Sequence, residues 1–82
     1  MIERIAVLGA GTMGHGIAET FAMNGFLVNL YETHDQTRNS VKKVIETELS
    51  FLAENAYIKK EDIEIILNRI TVYKDLKESV VN

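Results

Sequence analysis

The stretch VLGAGTMGHGIAETF, residues 7–21, places Gly9, Gly11, Gly14 and Gly16 between an apolar run and a segment of helical period. No other feature restricts the fold as much. Glycine inside a helix costs about 1 kcal/mol relative to alanine, so a chain that gathers glycines at a helix start needs bare backbone there. Gly9, Gly11 and Gly14 have the spacing G-x-G-x-x-G, and after a strand each has a separate task. Gly9 permits the tight turn out of the strand, Gly11 lets a diphosphate approach the main chain, and Gly14 lets the helix lie close to the sheet. The amides near Thr12 to Gly14 lack intrahelical acceptors and, with the helix dipole, favour an anion. Glycine-rich turns occur in many α/β proteins, so the surroundings decide what this one is for.

IAVLG, residues 5–9, reads as a short strand buried on both faces. From Thr12, the residues Met13, Ile17, Phe21 and Ala22 form one helical stripe, and Asn24-Gly25 supplies its C-cap. FLVNLYE, residues 26–32, reads as a second strand. Strand, helix and strand in this order make a βαβ unit with parallel strands. Glu32 closes the second strand 18 residues beyond Gly14, near the roughly 20 expected for a ribose-binding acid. Its carboxylate can accept hydrogen bonds from both hydroxyls of an adenosine ribose. It would also repel a 2′-phosphate, and the nearest arginine downstream is Arg38, so NAD is expected rather than NADP. The residues expected to contact the cofactor are Gly9, Ala10, Gly11, Thr12, Met13, Gly14 and Glu32.

Thr33 and Gln36 stand at capping-box spacing before a long helix, Asp35 to about Asn55, with Val41, Val44, Ile45, Leu49, Leu52, Ala53 and Ala56 at helical period. A turn at Tyr57 to Lys59 leads to a shorter helix bearing Ile63, Ile66 and Leu67, so the pair reads as an αα-hairpin. RITVY, residues 69–73, is a third strand, and Asp75 with Glu78 caps a last helix. The expected architecture is α/β: a truncated Rossmann-type parallel sheet of three strands with an inserted helix hairpin.

Eighty-two residues make one domain. A net charge of −3 gives no general attraction to nucleic acid or to an anionic membrane, and no apolar run approaches the roughly 18 residues that span a bilayer. The absence of cysteine excludes disulfides and thiolate metal sites. A strand beginning so near Met1 leaves no room for a signal peptide, and a cytoplasmic location is expected. Met13 could cover a dinucleotide or fill core space, and its flexible side chain favours the core. His15 has no orienting acid beside it and is expected to face solvent; His34 reads as a polar loop residue. The acids of KKEDIEII read as a solvated face without metal-ligand clustering. No nucleophile-and-base set converges, so the chain alone is expected to be non-catalytic. Two other readings stay open on these residues: an FAD-binding domain, and a non-catalytic nucleotide-binding or self-associating module.

GAGTMGHGIAETFAMNGFLVNLYE, followed by a helix hairpin and ILNRI, resembles the start of the L-3-hydroxyacyl-CoA dehydrogenases, in particular the bacterial 3-hydroxybutyryl-CoA type. The resemblance covers nearly the whole chain, and its specific parts are the methionine of G-x-G-x-M-G and the hairpin after the acid. It implies an NAD-dependent oxidation of an L-3-hydroxyacyl-CoA to the 3-ketoacyl-CoA, with Gly9 to Gly14 at the diphosphate and Glu32 at the ribose. The catalytic histidine and glutamate of that family lie beyond the matched stretch, so none is assigned here. Residues 1–82 are then the N-terminal part of a dinucleotide-binding domain, without its remainder or a C-terminal helical domain. The family can touch coenzyme A through a serine and a lysine of the long helix; Glu48 and Asn55 stand there instead, with Lys59 and Lys60 close by. Ala56 replaces a common glycine, which implies a somewhat different hairpin turn. In a 3-2-1-4 sheet without its fourth strand, residues 5–9 become an exposed apolar edge. Such an edge recruits other strands, and self-association into a homo-oligomer is the expectation.

Overall fold

The computed structural model describes residues 3–80. Its elements run β1 (Arg4–Leu8), α1 (Thr12–Met23), β2 (Leu27–Tyr31), α2 (Asp35–Glu54), α3 (Asp62–Asn68), β3 (Ile70–Tyr73) and α4 (Leu76–Val80). The strands form one parallel sheet of order β1-β2-β3, with Val7 opposite Leu30 and Val28 opposite Ile70. Strand, helix pair and order agree with the three-stranded Rossmann-type parallel sheet and inserted helix hairpin expected from the sequence. The last helix, expected to run on to Asn82, is described only to Val80; residues 81 and 82 lie outside the described residues.

Because side chains alternate across a strand, Ile5, Val7, Val28, Leu30, Ile70 and Val72 share one face. They meet Ala18 and Ala22 of α1, Val41, Ile45 and Leu49 of α2, and Ile66 of α3 in a single core. The other face carries Arg4, Ala6, Leu8 and Asn29, with Arg4 donating to Asn29 at 2.8 Å. β1 is therefore not buried on both faces as its composition suggested. It pairs with β2 alone among the described strands, and Leu8 is 73% exposed. A short all-apolar run states that burial is favourable, but which layers cover it is set by the rest of the sheet.

Of the stripe expected on α1, Ala22 is buried and Phe21 packs against the core, but Met13 and Ile17 face out. The helix buries Ala18 and Ala22, while Met13 is 79% exposed and Ile17 is exposed as well. Met13 accordingly does not fill the core. The residues turned inward are the small ones, because α1 lies too close to the sheet to admit larger side chains. The capping box at Thr33 and Gln36 does not form either. Arg38 holds the carbonyls of Glu32 and Thr33 at 3.1 and 3.3 Å, and α2 starts one residue later than that box requires. His34 is the N-cap, its ring accepting from the Thr37 amide at 3.3 Å. The second box does form: the Glu78 amide donates to Asp75 at 3.0 Å, and the Lys74 amide donates to Glu78 at 2.8 Å.

At the hairpin turn, Ala56 has a φ of 63°, in the left-handed region. Its amide donates to Ala53 and that of Tyr57 to Leu52, at 3.1 and 2.9 Å, the pairing of a Schellman C-cap. The turn thus keeps the conformation a glycine would give, although alanine pays a strain there. Ala56→Gly is expected to raise stability by about 1 kcal/mol, read as an increased urea midpoint at unchanged slope.

Candidate functional site

β1 delivers the chain to Gly9, whose φ of 91° is one that only glycine adopts without strain. The Gly9 amide donates to the Tyr31 carbonyl at 2.7 Å, prolonging the sheet by one rung into the turn. The chain then reverses into α1. A Cβ on Gly14 would fall inside the envelope of the Gly9 carbonyl oxygen and 2.7 Å from its carbonyl carbon. A Cβ on Gly11 would meet nothing within 4 Å. The first and third glycines are thus required by the fold itself. The second keeps open a space that the protein does not fill.

That space faces the start of α1. Gly11 is the N-cap, with extended backbone and no side-chain cap, so the amides of Thr12, Met13 and Gly14 have no intrahelical acceptor. The side chain of Thr12 lies outside the described atoms. An anion brought to this terminus meets unpaired donors and the positive end of the helix dipole. A cavity of about 520 Å³ opens beside it at the carboxyl ends of the strands, lined by Leu8, Gly9, Tyr31, Glu32, Lys74 and Leu76 among others. In open parallel sheets this is where ligands bind.

Glu32 stands at the cavity edge, just past β2. Its Oε1 accepts from the Ala10 amide at 2.7 Å and its Oε2 from the His34 amide at 2.9 Å. These two amides, first Ala10 and then His34, hold the carboxyl below the ordinary glutamate range. Each carboxylate oxygen has room for about two donors, so one site per oxygen remains for a pair of vicinal hydroxyls. Arg38, the one nearby arginine, is committed to Asp35 at 2.6 Å and to the two carbonyls already named. The structure therefore brings Gly9, Ala10, Gly11, Thr12, Met13, Gly14 and Glu32 to one turn. The residues present fit the adenosine diphosphate end of a dinucleotide.

His15 departs from its expected exposure. Its side chain is only 15% exposed, with Nδ1 2.9 Å from the Gly11 carbonyl and Nε2 3.1 Å from Glu48 Oε2. Glu19 completes the group: it is buried, its Oε1 has no partner, and burial together with its hydrogen bond to Glu48 pushes it up to about 8. Sequence reasoning missed this cluster. Glu48 lies 33 residues along the chain from His15 and no local pattern announces it, whereas Glu19 sits at i+4 on the same helix face, a legible spacing. Glu48 and Asn55, the departures noted on the long helix, are both engaged, Asn55 donating to the Phe51 carbonyl at 2.8 Å. His34 is exposed, as expected of a loop residue.

Residues 4–82 match the family model described as 3-hydroxyacyl-CoA dehydrogenase, NAD binding domain. A probable 3-hydroxybutyryl-CoA dehydrogenase of Bacillus subtilis is 33% identical over 78 residues, covering 95% of this chain and 27% of that protein. Among solved structures, 3-hydroxybutyryl-CoA dehydrogenase of Escherichia coli superposes with a TM-score of 0.83 at 30% identity, over 93% of this chain and 16% of that one. FadB2 of M. tuberculosis superposes with a TM-score of 0.85 at 29% identity, over 92% and 26%. The chain thus spans about a quarter of the length of the curated relative it matches.

Proposed function

Because the chain belongs to the 3-hydroxyacyl-CoA dehydrogenase family, through its NAD binding domain, we propose that it holds NAD(H) for the oxidation of an L-3-hydroxyacyl-CoA to the 3-ketoacyl-CoA. The observation that carries the reading is the uncapped start of α1 beside Glu32: open amide donors for a diphosphate and a two-point acceptor for a ribose, on one turn. NAD held there would supply the hydride acceptor for the carbon that bears the substrate hydroxyl. This chain's part is to bind and orient. Gly9, Ala10, Gly11, Thr12, Met13 and Gly14 would hold the diphosphate, and Met13 is exposed at the helix start beside it. Glu32 fixes the adenosine ribose and disfavours a 2′-phosphate by like-charge repulsion. A 3-hydroxybutyryl-CoA is the substrate named by the relatives, and an acyl-CoA is the proposed partner here. Self-association through the free edge of β1 and residence in the cytoplasm belong to the same reading; sedimentation velocity reads the association.

Gly11 gives the cleanest test, because its side-chain direction is empty. Gly11→Val leaves the core untouched and places three carbons where the diphosphate would come. Its far-ultraviolet spectrum and urea midpoint are expected to match the parent within about 1 kcal/mol, while NADH affinity in calorimetry drops by at least about tenfold. Equal affinity in the two chains rules out this docking, and FAD binding in place of NADH would move the site to a flavin.

A further inference from the structure

Of the polar groups around the glycine turn, three are not used by the proposed contacts with NAD: His15, Glu19 and Glu48. They lie where α1 meets α2, next to a second cavity of about 350 Å³ lined by Gly11, His15, Thr37 and Ser40 among others. Both ring nitrogens of His15 face acceptors, the Gly11 carbonyl at 2.9 Å and the Glu48 carboxylate at 3.1 Å. A neutral imidazole has one N–H and can satisfy only one of them; the cation satisfies both. Gly11 is also the N-cap of α1, so its carbonyl orientation sets the peptide plane that carries the Thr12 amide. A ring bonded on one side to that carbonyl and on the other to α2 fixes the turn against the long helix.

We propose that His15 is a positioning residue of the dinucleotide site: in its cationic form it clamps the Gly11 carbonyl to Glu48 and holds the glycine turn in its anion-receiving shape. The proposal rests on the NAD reading for its ligand. The titratable groups that face His15 are Glu48 from α2 and Glu19 from its own helix. Burial works against the cation, yet the Gly11 carbonyl and the Glu48 carboxylate outweigh it and hold the ring above the ordinary histidine value. Glu19 stays protonated through neutral pH because burial and Glu48 push it up to about 8. Below the raised His15 value the cluster is thus one cation, one carboxylate and one neutral acid. Since the folded ring titrates above its ordinary value, the clamp is complete at lower pH and is lost as pH rises through that higher value.

Two measurements on the 82-residue chain test this. Proton–nitrogen NMR from pH 5.5 to 10 follows the His15 ring and the Thr12 amide together, and calorimetry follows NADH affinity over the same range. The Thr12 amide is expected to titrate with the midpoint of the ring, and NADH affinity to fall about tenfold across it. Glu48→Gln, which removes the carboxylate, is expected to move both midpoints down by about one pH unit, a displacement that a purely structural loss of packing would not produce. His15→Gln is expected to abolish the pH dependence; its urea midpoint separates that from unfolding. A Thr12 amide indifferent to the ring, or NADH affinity with the same pH profile in wild type and His15→Gln, overturns the proposal. Coupling of Thr12 to the ring without NADH binding at any pH upholds the clamp and overturns the NAD reading instead.

Discussion

Gly14→Ala is expected to cost about 3 kcal/mol or more, the largest loss of stability from a single methyl group in this chain. The methyl carbon would overlap the Gly9 carbonyl oxygen and stand 2.7 Å from the Gly9 carbonyl carbon. The obstacle is backbone, and no rotamer change can relieve it. Overpacking of this kind costs 1–3 kcal/mol even when side chains can yield. Here either α1 shifts away from the sheet, opening the contacts of Ala18 and Ala22, or the turn at Gly9 opens and loses its 2.7 Å bond to Tyr31. A chain of this size has on the order of 4–12 kcal/mol in total, so much of the molecule should be unfolded at modest urea. Gly16→Ala, two residues on, is the matched control. Its Cβ meets nothing within 4 Å, and in a helix interior the change should stabilise by up to about 1 kcal/mol. Opposite signs for the same substitution locate the effect in the Gly9–Gly14 approach; a tolerated Gly14→Ala would show that α1 does not need that closeness.

The same approach explains what the sequence made legible. The glycine spacing and the strand before it are local, and the backbone tasks of Gly9 and Gly14 were legible because φ at Gly9 and crowding at Gly14 are properties of a few adjacent residues. The three strands, the helix hairpin and the box at Asp75 and Glu78 are local patterns too. The stripe on α1 was misread at Met13 and Ile17 because large apolar side chains weigh most in a hydrophobic pattern, whereas a helix lying tight on a sheet turns glycine and alanine inward and leaves Met13 outside. The start of α2 at Asp35 was read correctly but its cap was not, because His34 rather than Thr33 takes the N-cap position and Arg38, a turn further on, holds the carbonyls before it. His15 was misread because its acid arrives from another helix. Residues whose surroundings are assembled by tertiary packing are those that one-dimensional patterns place least well.

Glu32→Ala is expected to lower NADH affinity on the order of 100-fold. In the proposed complex each carboxylate oxygen keeps one acceptor site for a ribose hydroxyl, and a hydrogen bond to a charged group contributes about 1.5–3 kcal/mol, so two such bonds make roughly two decades or more. The variant also loses the tie between Ala10 and His34, which leaves both amides without the acceptor they have now. Titration calorimetry with NADH and NADPH separates the two effects. Loosening of the turn weakens both cofactors alike. Loss of the ribose contact weakens NADH while removing the repulsion that excludes a 2′-phosphate, so the gap between the two cofactors should close. The pH dependence of stability gives an independent reading. The Ala10 and His34 amides hold the Glu32 carboxyl below its ordinary range, so the folded state binds this proton less readily than the unfolded chain. The associated stability is fully present above the ordinary glutamate value and is lost as pH falls through the lower, folded one. Acidification from pH 7 to pH 3.5 should therefore reduce the urea midpoint of wild type more than that of Glu32→Ala. Equal losses would mean that the two amides do not grip the carboxylate in solution, and an unchanged NADH affinity would take the ribose away from Glu32 and leave the glycine turn to hold the cofactor by its phosphates alone.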